Sequence, residues 1–176
     1  MAKKSDIDHL RHTIRVSQQS RDSGNHPFGA IVVGPEGEVL AESGNTFSID
    51  KGVGHAEMNV ARAVAARYPQ AYLARCTLYT SVEPCCMCAG ATYWAGIGAL
   101  VFGLSEKRLA QLTGDDPENL TMDMPCRQVF SAGQRQVEVR GPFKELEAEI
   151  VEAHDGFWSA ASSPADADSD MQRGKQ

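Results

Sequence analysis

Apolar positions recur with two different periods along this chain, and the switches between them set out its elements. Between residues 6 and 22, Ile7, Leu10, Ile14 and Val16 stand among polar neighbours at a spacing that suits one helix. The run Ser23-Gly24-Asn25-His26-Pro27 ends it. Residues 28–33 and 38–43 read as two strands, and Gly34-Pro35-Glu36-Gly37 between them has the residue types of a tight turn, so a hairpin is predicted. The Ala-rich stretch 55–67, with Met58, Val60 and Val64, predicts a helix behind the loop glycines Gly52 and Gly54. Residues 76–81 are β-branched and aromatic and predict a strand. Residues 85–94, opening after Pro84, predict another helix. The apolar run 99–102 fits a buried strand, with a short helix over 105–112 behind it. Gly114, Asp115, Asp116, Pro117 and Pro125 mark 113–125 as loop; 136–139 reads as the last strand and 144–158 as the last helix. A hairpin followed by helices and strands in alternation predicts an α/β fold, a mixed sheet with helices on both faces.

Composition narrows the function classes. A chain of 176 residues with 42% hydrophobic and 23% charged content suits one domain with a single core. The stretch 159–176 is small, polar and Pro-containing, and is expected to be a disordered tail behind a domain of residues 1–158. A formal net charge of -6 gives no overall basic field for a polyanion, and no cluster of Lys and Arg repairs that, so nucleic acid is not the expected partner. No apolar run reaches the about 18 residues of a membrane span, and the first ten residues are polar where a signal peptide would be apolar; a cytoplasmic protein is expected. Five cysteines, three of them at 85, 86 and 88, do not resemble a secreted disulfide framework.

Metal binding or redox chemistry is what such cysteines suggest. On a helix Cys85 and Cys88 share a face, while Cys86 points about 100° away. A helix N-terminus stabilises thiolates and makes both sulfurs better ligands. Taken alone, Cys-x-x-Cys could equally be a redox pair or two small buried residues. His55 changes the balance, because His55-Ala56-Glu57 opens one predicted helix and Pro84-Cys85-Cys86-Met87-Cys88 opens another, with Pro84 27 positions after Glu57. That order is the signature of zinc nucleobase deaminases. One nitrogen and two sulfur ligands suit zinc and leave a fourth position for water, whose pKa zinc can lower toward ~7. Glu57, two residues from His55, is placed to carry protons from the water to the ring and the leaving amine.

Further segments extend the likeness: Phe28-Gly29-Ala30 after Pro27, Gly44-Asn45, 79–91 from Tyr-Thr-Ser-Val-Glu-Pro through the cysteines, and Tyr93-Trp94-Ala95. Over about residues 6–103 the chain resembles the cytidine-deaminase-like superfamily, and within it the branch of guanine deaminases and related nucleobase or nucleoside deaminases. The resemblance implies a three-layer α/β/α sandwich with a mixed central sheet, usually a dimer or larger. It implies His55, Cys85 and Cys88 as zinc ligands and Glu57 as proton shuttle. The Ala56 amide, the Asn45 side chain and the Phe28 ring would line the substrate pocket. The expected reaction is zinc-dependent hydrolytic deamination of a free nucleobase or nucleoside, a guanine-like purine first. Asn45 could instead shape a turn. Phe28 could simply be core, and Trp94 reads as core or subunit interface.

Other readings stay open. A tRNA adenosine deaminase shares the metal motifs, but the chain has Pro27-Phe28-Gly29-Ala30 where those enzymes have Val after the Pro, Leu104-Ser105-Glu106-Lys107 in place of their Lys-Thr-Gly-Ala, and no basic C-terminal tract. Cytosine, triazine and pterin rings are alternative substrates. From a different class comes a non-catalytic zinc-stabilised module, closed by a fourth ligand such as Cys86, Cys126 or His26. A Cys85 nucleophile or redox couple would leave His55 and Glu57 unexplained.

Overall fold

Ser5 starts the first helix with a reciprocal cap, its hydroxyl accepting from the Asp8 amide while the Asp8 carboxylate accepts from the Ser5 amide. In this computed structural model, which describes residues 5–158, α1 (Asp6–Asp22) leads into the hairpin β1 (Gly29–Val33) and β2 (Val39–Gly44). Two short turns, α2 (Phe47–Asp50) and the 3₁₀ segment Lys51–Val53, precede α3 (Ala56–Ala65), and α4 (Gln70–Leu73) follows it. Then come β3 (Thr77–Val82), α5 (Cys86–Ala95), β4 (Ala99–Leu104), α6 (Glu106–Thr113), α7 (Cys126–Ser131), β5 (Glu138–Arg140), a 3₁₀ turn Lys144–Leu146 and α8 (Glu147–His154).

The strands form one sheet in the order β2-β1-β3-β4-β5. β1 runs antiparallel to both β2 and β3, while β3, β4 and β5 are parallel. All five residues of β1 are buried because helices cover both of its faces. On one face Val60, Val64, Leu73, Ala89 and Phe130 pack on Val32, Leu78 and Leu100. On the other Leu10, Ile14, Leu109, Leu146 and Ile150 pack on Ile31, Tyr79 and Val101. This is the mixed sheet between helix layers that the sequence implied. Gly29 lets α1 approach the sheet: a Cβ there would collide with the Thr13 carbonyl oxygen.

The largest differences from the sequence expectation lie toward the C-terminal end of the described residues. The last helix ends at His154 and not at 158, with Asp155 in extended backbone and Gly156 at φ +66°. The last strand lies at Glu138–Arg140, where its partners on β4 are Ala99 to Val101, and not at 136–139. α7 was not foreseen, although its buried Cys126 and Phe130 sit four apart. The tail 159–176 lies outside the described residues.

The topology fixes where chemistry can occur. The chain leaves the carboxyl ends of the parallel strands β3 and β4 and at once enters α5 and α6. β1 is antiparallel to β3, with Ala30 opposite Thr80, so Phe28 arrives at that same edge. Open α/β sheets bind ligands there.

Candidate active site

His55 and Cys85 occupy N-cap positions, each in extended backbone just ahead of α3 and α5, and Cys88 follows within the first turn of α5. α3 and α5 pack against each other, which brings these starts together. The His55 Nδ1 lies 3.5 Å from Cys85 Sγ and 3.5 Å from Cys88 Sγ, and the three donor atoms lie within 4.8 Å of one another. Zinc bonds of about 2.0 Å to nitrogen and about 2.3 Å to sulfur, opened to a tetrahedral angle, would separate the two atoms by about 3.5 Å. The spacing fits a shared ion.

The protonation of the sulfurs supports the same fit. Cys85 is pulled down to about 4, first by the hydrogen bond from Cys88 and then by those from His55, while Cys88 is pushed well above the ordinary thiol value by that same bond and by burial. Two adjacent sulfurs, one of them favoured as thiolate, form a site whose charge a divalent cation can complete.

Among the described residues, only His55, Cys85 and Cys88 form such a ligand group. The fourth ligands weighed from sequence are engaged elsewhere. Cys86 Sγ lies 3.5 Å from Met122 Sδ, the His26 ring meets Glu118 at 3.0 Å, and Cys126 is buried with its amide on Glu83.

A cavity opens beside the ligands, lined by Phe28, Val82, Glu83, Glu106, Leu109 and Asn119 as well as by His55, Glu57 and Cys85. Glu57 is 5% exposed, and its Oε1 accepts from the Thr80 hydroxyl at 3.0 Å. Burial pushes its pKa up, against the opposing charge of His55.

Residues 3–104 match the family described as the cytidine and deoxycytidylate deaminase zinc-binding region. The chain belongs to this family. A probable cytosine deaminase of Schizosaccharomyces pombe is 39% identical over 155 residues, which cover 88% of this chain and 93% of that protein. The guanine deaminase of Bacillus subtilis is 36% identical over 109 residues, 61% of this chain and 69% of its own. A solved tRNA:A34 deaminase structure superimposes with a TM-score of 0.62 at 24% identity, over 84% of this chain and 99% of that one, and shows the shared fold. The chain is thus a zinc-type deaminase.

Of the residues expected from sequence in this deaminase, Phe28, His55, Glu57 and Cys85 line one cavity, and Cys88 joins its ligand group. Ala56 is buried at the first position of α3, where a backbone N–H has no intrahelical acceptor. Asn45 is buried at 4% exposure, and its Oδ1 accepts from the Phe47 amide at 2.7 Å, turning the chain into α2. It lines a neighbouring cleft with Ser20 and Thr46, and its backbone N–H reaches the Phe28 carbonyl at 3.2 Å. Trp94 is 76% exposed, which removes the core reading.

Three polar cavity residues, Glu83, Glu106 and Asn119, were given no site role from the sequence. Glu83 accepts from the amides of Glu106 and Cys126, each at 3.1 Å, and so ties β4–α6 and α7 to the strand that delivers Cys85. Glu106 and Asn119 come from segments outside the metal motifs. Burial first, then the charges of Cys85, Glu57 and Glu83, push Glu106 up to about 8. For Glu106 a signal existed, an acidic residue directly after the Ser105 N-cap, but it equally describes a solvated first turn.

Proposed function

We propose that this chain hydrolyses the exocyclic amine of a free nucleobase, cytosine first and a guanine-like ring second, with His55, Cys85 and Cys88 holding zinc and Glu57 carrying protons. The observation that carries the reading is the cavity itself, in which a two-sulfur, one-nitrogen donor group and a buried carboxyl meet apolar walls with no Lys or Arg among the lining residues. A phosphate-bearing substrate would find no counter-charge there.

Zinc, when bound, supplies a Lewis-acidic centre that makes water a nucleophile at neutral pH. The chain's own residues do the rest. Thr80 fixes one oxygen of Glu57, leaving the other to take one proton from the attacking water and pass it to a ring nitrogen, and then to carry the second, from the hydroxyl newly bound to the ring carbon, to the departing amine, which leaves as ammonia. Phe28, Val82 and Leu109 wall the ring and exclude bulk water. The Ala56 amide offers a donor to the ring edge, and Asn45, in the neighbouring cleft, supports the wall through its backbone N–H on the Phe28 carbonyl.

Cytosine is placed first because an alignment of 155 residues out of 176 necessarily spans 28 to 119, every residue of the cavity wall, and the relative it covers is named for cytosine. The guanine-like ring favoured from sequence is supported by the Bacillus relative, over a shorter stretch. A homodimer belongs to this reading, with exposed Trp94 on α5 as its candidate contact.

Ammonia release over cytosine, guanine, adenine, their nucleosides and a tRNA anticodon stem-loop tests the proposal. Turnover of a free base with the stem-loop inert is the expected result. Deamination of the stem-loop with every free base inert overturns it.

A further inference from the structure

Three carboxylates line the cavity, and two of them have partners. Glu57 holds the Thr80 hydroxyl, and both oxygens of Glu83 take backbone amides. Glu106 is 7% exposed, and its carboxylate has no hydrogen-bond partner among the described residues. Burying such a group without a donor is costly, so the position makes physical sense if a donor arrives with the ligand. The carboxyl is not sealed in the packed interior; it lines the cavity that holds Glu57 and Cys85.

The backbone that carries the carboxyl is held in place. The Glu106 amide is fixed by Glu83 at 3.1 Å, and the Ser105 hydroxyl caps the same turn through the Arg108 amide at 3.2 Å. Because α6 follows β4 and Cys85 follows the neighbouring β3, Glu106 and the ligand end leave adjacent strands, which in any sheet lie about 4.8 Å apart. A flat heterocycle with its amine at Glu57 therefore presents a different edge to Glu106. That edge meets an acceptor and no cation.

We infer that Glu106 is a specificity-determining residue whose carboxylate accepts a hydrogen bond from the ring N–H on which a nucleoside would carry its sugar. The substrate class is then a heterocycle with that N–H free, and N-substituted rings are rejected because the carboxylate is left buried and unpaired. This rests on the free-base reading above and assigns its selectivity to one side chain.

The test compares zinc-loaded wild type, Glu106→Ala and Glu106→Gln on cytosine against 1-methylcytosine and on guanine against 9-methylguanine. Wild type should favour the unmethylated ring by about 10- to 100-fold in kcat/KM, the range for leaving a buried hydrogen-bonding group unpaired. Glu106→Ala should lose about that factor on the parent base and little on the methylated one, so that the ratio approaches one, while zinc content and melting temperature hold. Glu106→Gln keeps an acceptor and should retain part of the discrimination. A purely structural role would lower both substrates together and leave the ratio intact, which overturns the inference. If the variants do not fold, calorimetry of parent and methylated bases on the wild-type protein decides, and equal affinities overturn it. Wild type that deaminates bases but ignores the methyl group removes this inference alone; wild type inert to every base removes the free-base reading with it.

Discussion

Replacing Glu83 by Gln should destabilise the fold out of proportion to so small a change. The carboxylate receives the Glu106 and Cys126 amides at 3.1 Å each, and it is buried. Gln keeps one carbonyl oxygen for one amide and turns an N–H₂ toward the other. One charge-assisted bond is lost, worth about 1.5–3 kcal/mol, and a buried amide is left facing a donor, at roughly 1–3 kcal/mol; the lower burial cost of a neutral side chain offsets part of this. A net loss of about 2–4 kcal/mol is expected, or about 5–15 °C in Tm for a chain of this size. Thermal and urea unfolding of the zinc-loaded protein would measure it, and amide exchange should quicken at 106 and 126 ahead of β1. A midpoint within about 1 °C of wild type, the range of an ordinary surface change, would refute the idea that Glu83 ties the two segments.

Glu57→Gln should keep the fold and the zinc while lowering kcat by about 10²–10⁴, read by ammonia release beside metal analysis; unchanged turnover would remove Glu57 from proton transfer. Purified protein should carry one zinc per chain, lost on chelation together with activity, and Cys88→Ala should lose most of it; retention in both Cys88→Ala and Cys85→Ala would mean that other ligands hold the ion. His154, buried with Nε2 unpartnered, is pulled down to about 4 by burial first and then by Arg21. The unfolded chain protonates it near ~6.5 and the folded one does not, so its contribution is fully present above that pH and is lost as pH falls toward 4. That slope, totalling about 3 kcal/mol, should flatten in His154→Leu when urea midpoints are followed between pH 7 and pH 4.

What could be read from the sequence, and what could not, divides along physical lines. The hairpin was legible because Gly34 to Gly37 carry their turn chemistry locally, and α1 because Leu10 and Ile14 repeat on one face. The metal group was legible because its spacing is written in two short motifs, each at a helix start. Long-range positions were not. Glu83 reads as a polar residue before Pro84, and only the folded chain shows that its oxygens reach amides 23 and 43 positions away. Glu106 and Asn119 enter the cavity because β4 lies beside β3, a pairing that no local pattern announces. Asn45 shows the turn-shaping bond weighed for it, its oxygen accepting from the Phe47 amide at the start of α2. The end of α8 was misplaced because the aromatic residues 157 and 158 continue its apolar pattern, yet they pack around His26 and His154 after the chain has left the helix.

The two helix starts also show where stability gave way to chemistry. Ser5 and Ser105 cap α1 and α6 through their hydroxyls, as the physics of an unsatisfied first turn favours. His55 and Cys85 hold the same position on α3 and α5, and neither makes a side-chain cap. A Ser or Asp at either place would contribute about 0.5–2 kcal/mol. Forgoing that twice leaves two helix starts without a hydroxyl or carboxylate cap, with the partial positive charge of two helix ends beside the ligand group. Thiolates are stabilised there, and so is any negative charge that develops on a ring under attack. The same residues that weaken the caps turn their side chains toward one another at 3.5 Å, so the loss of local stability and the making of the ligand group are one structural event.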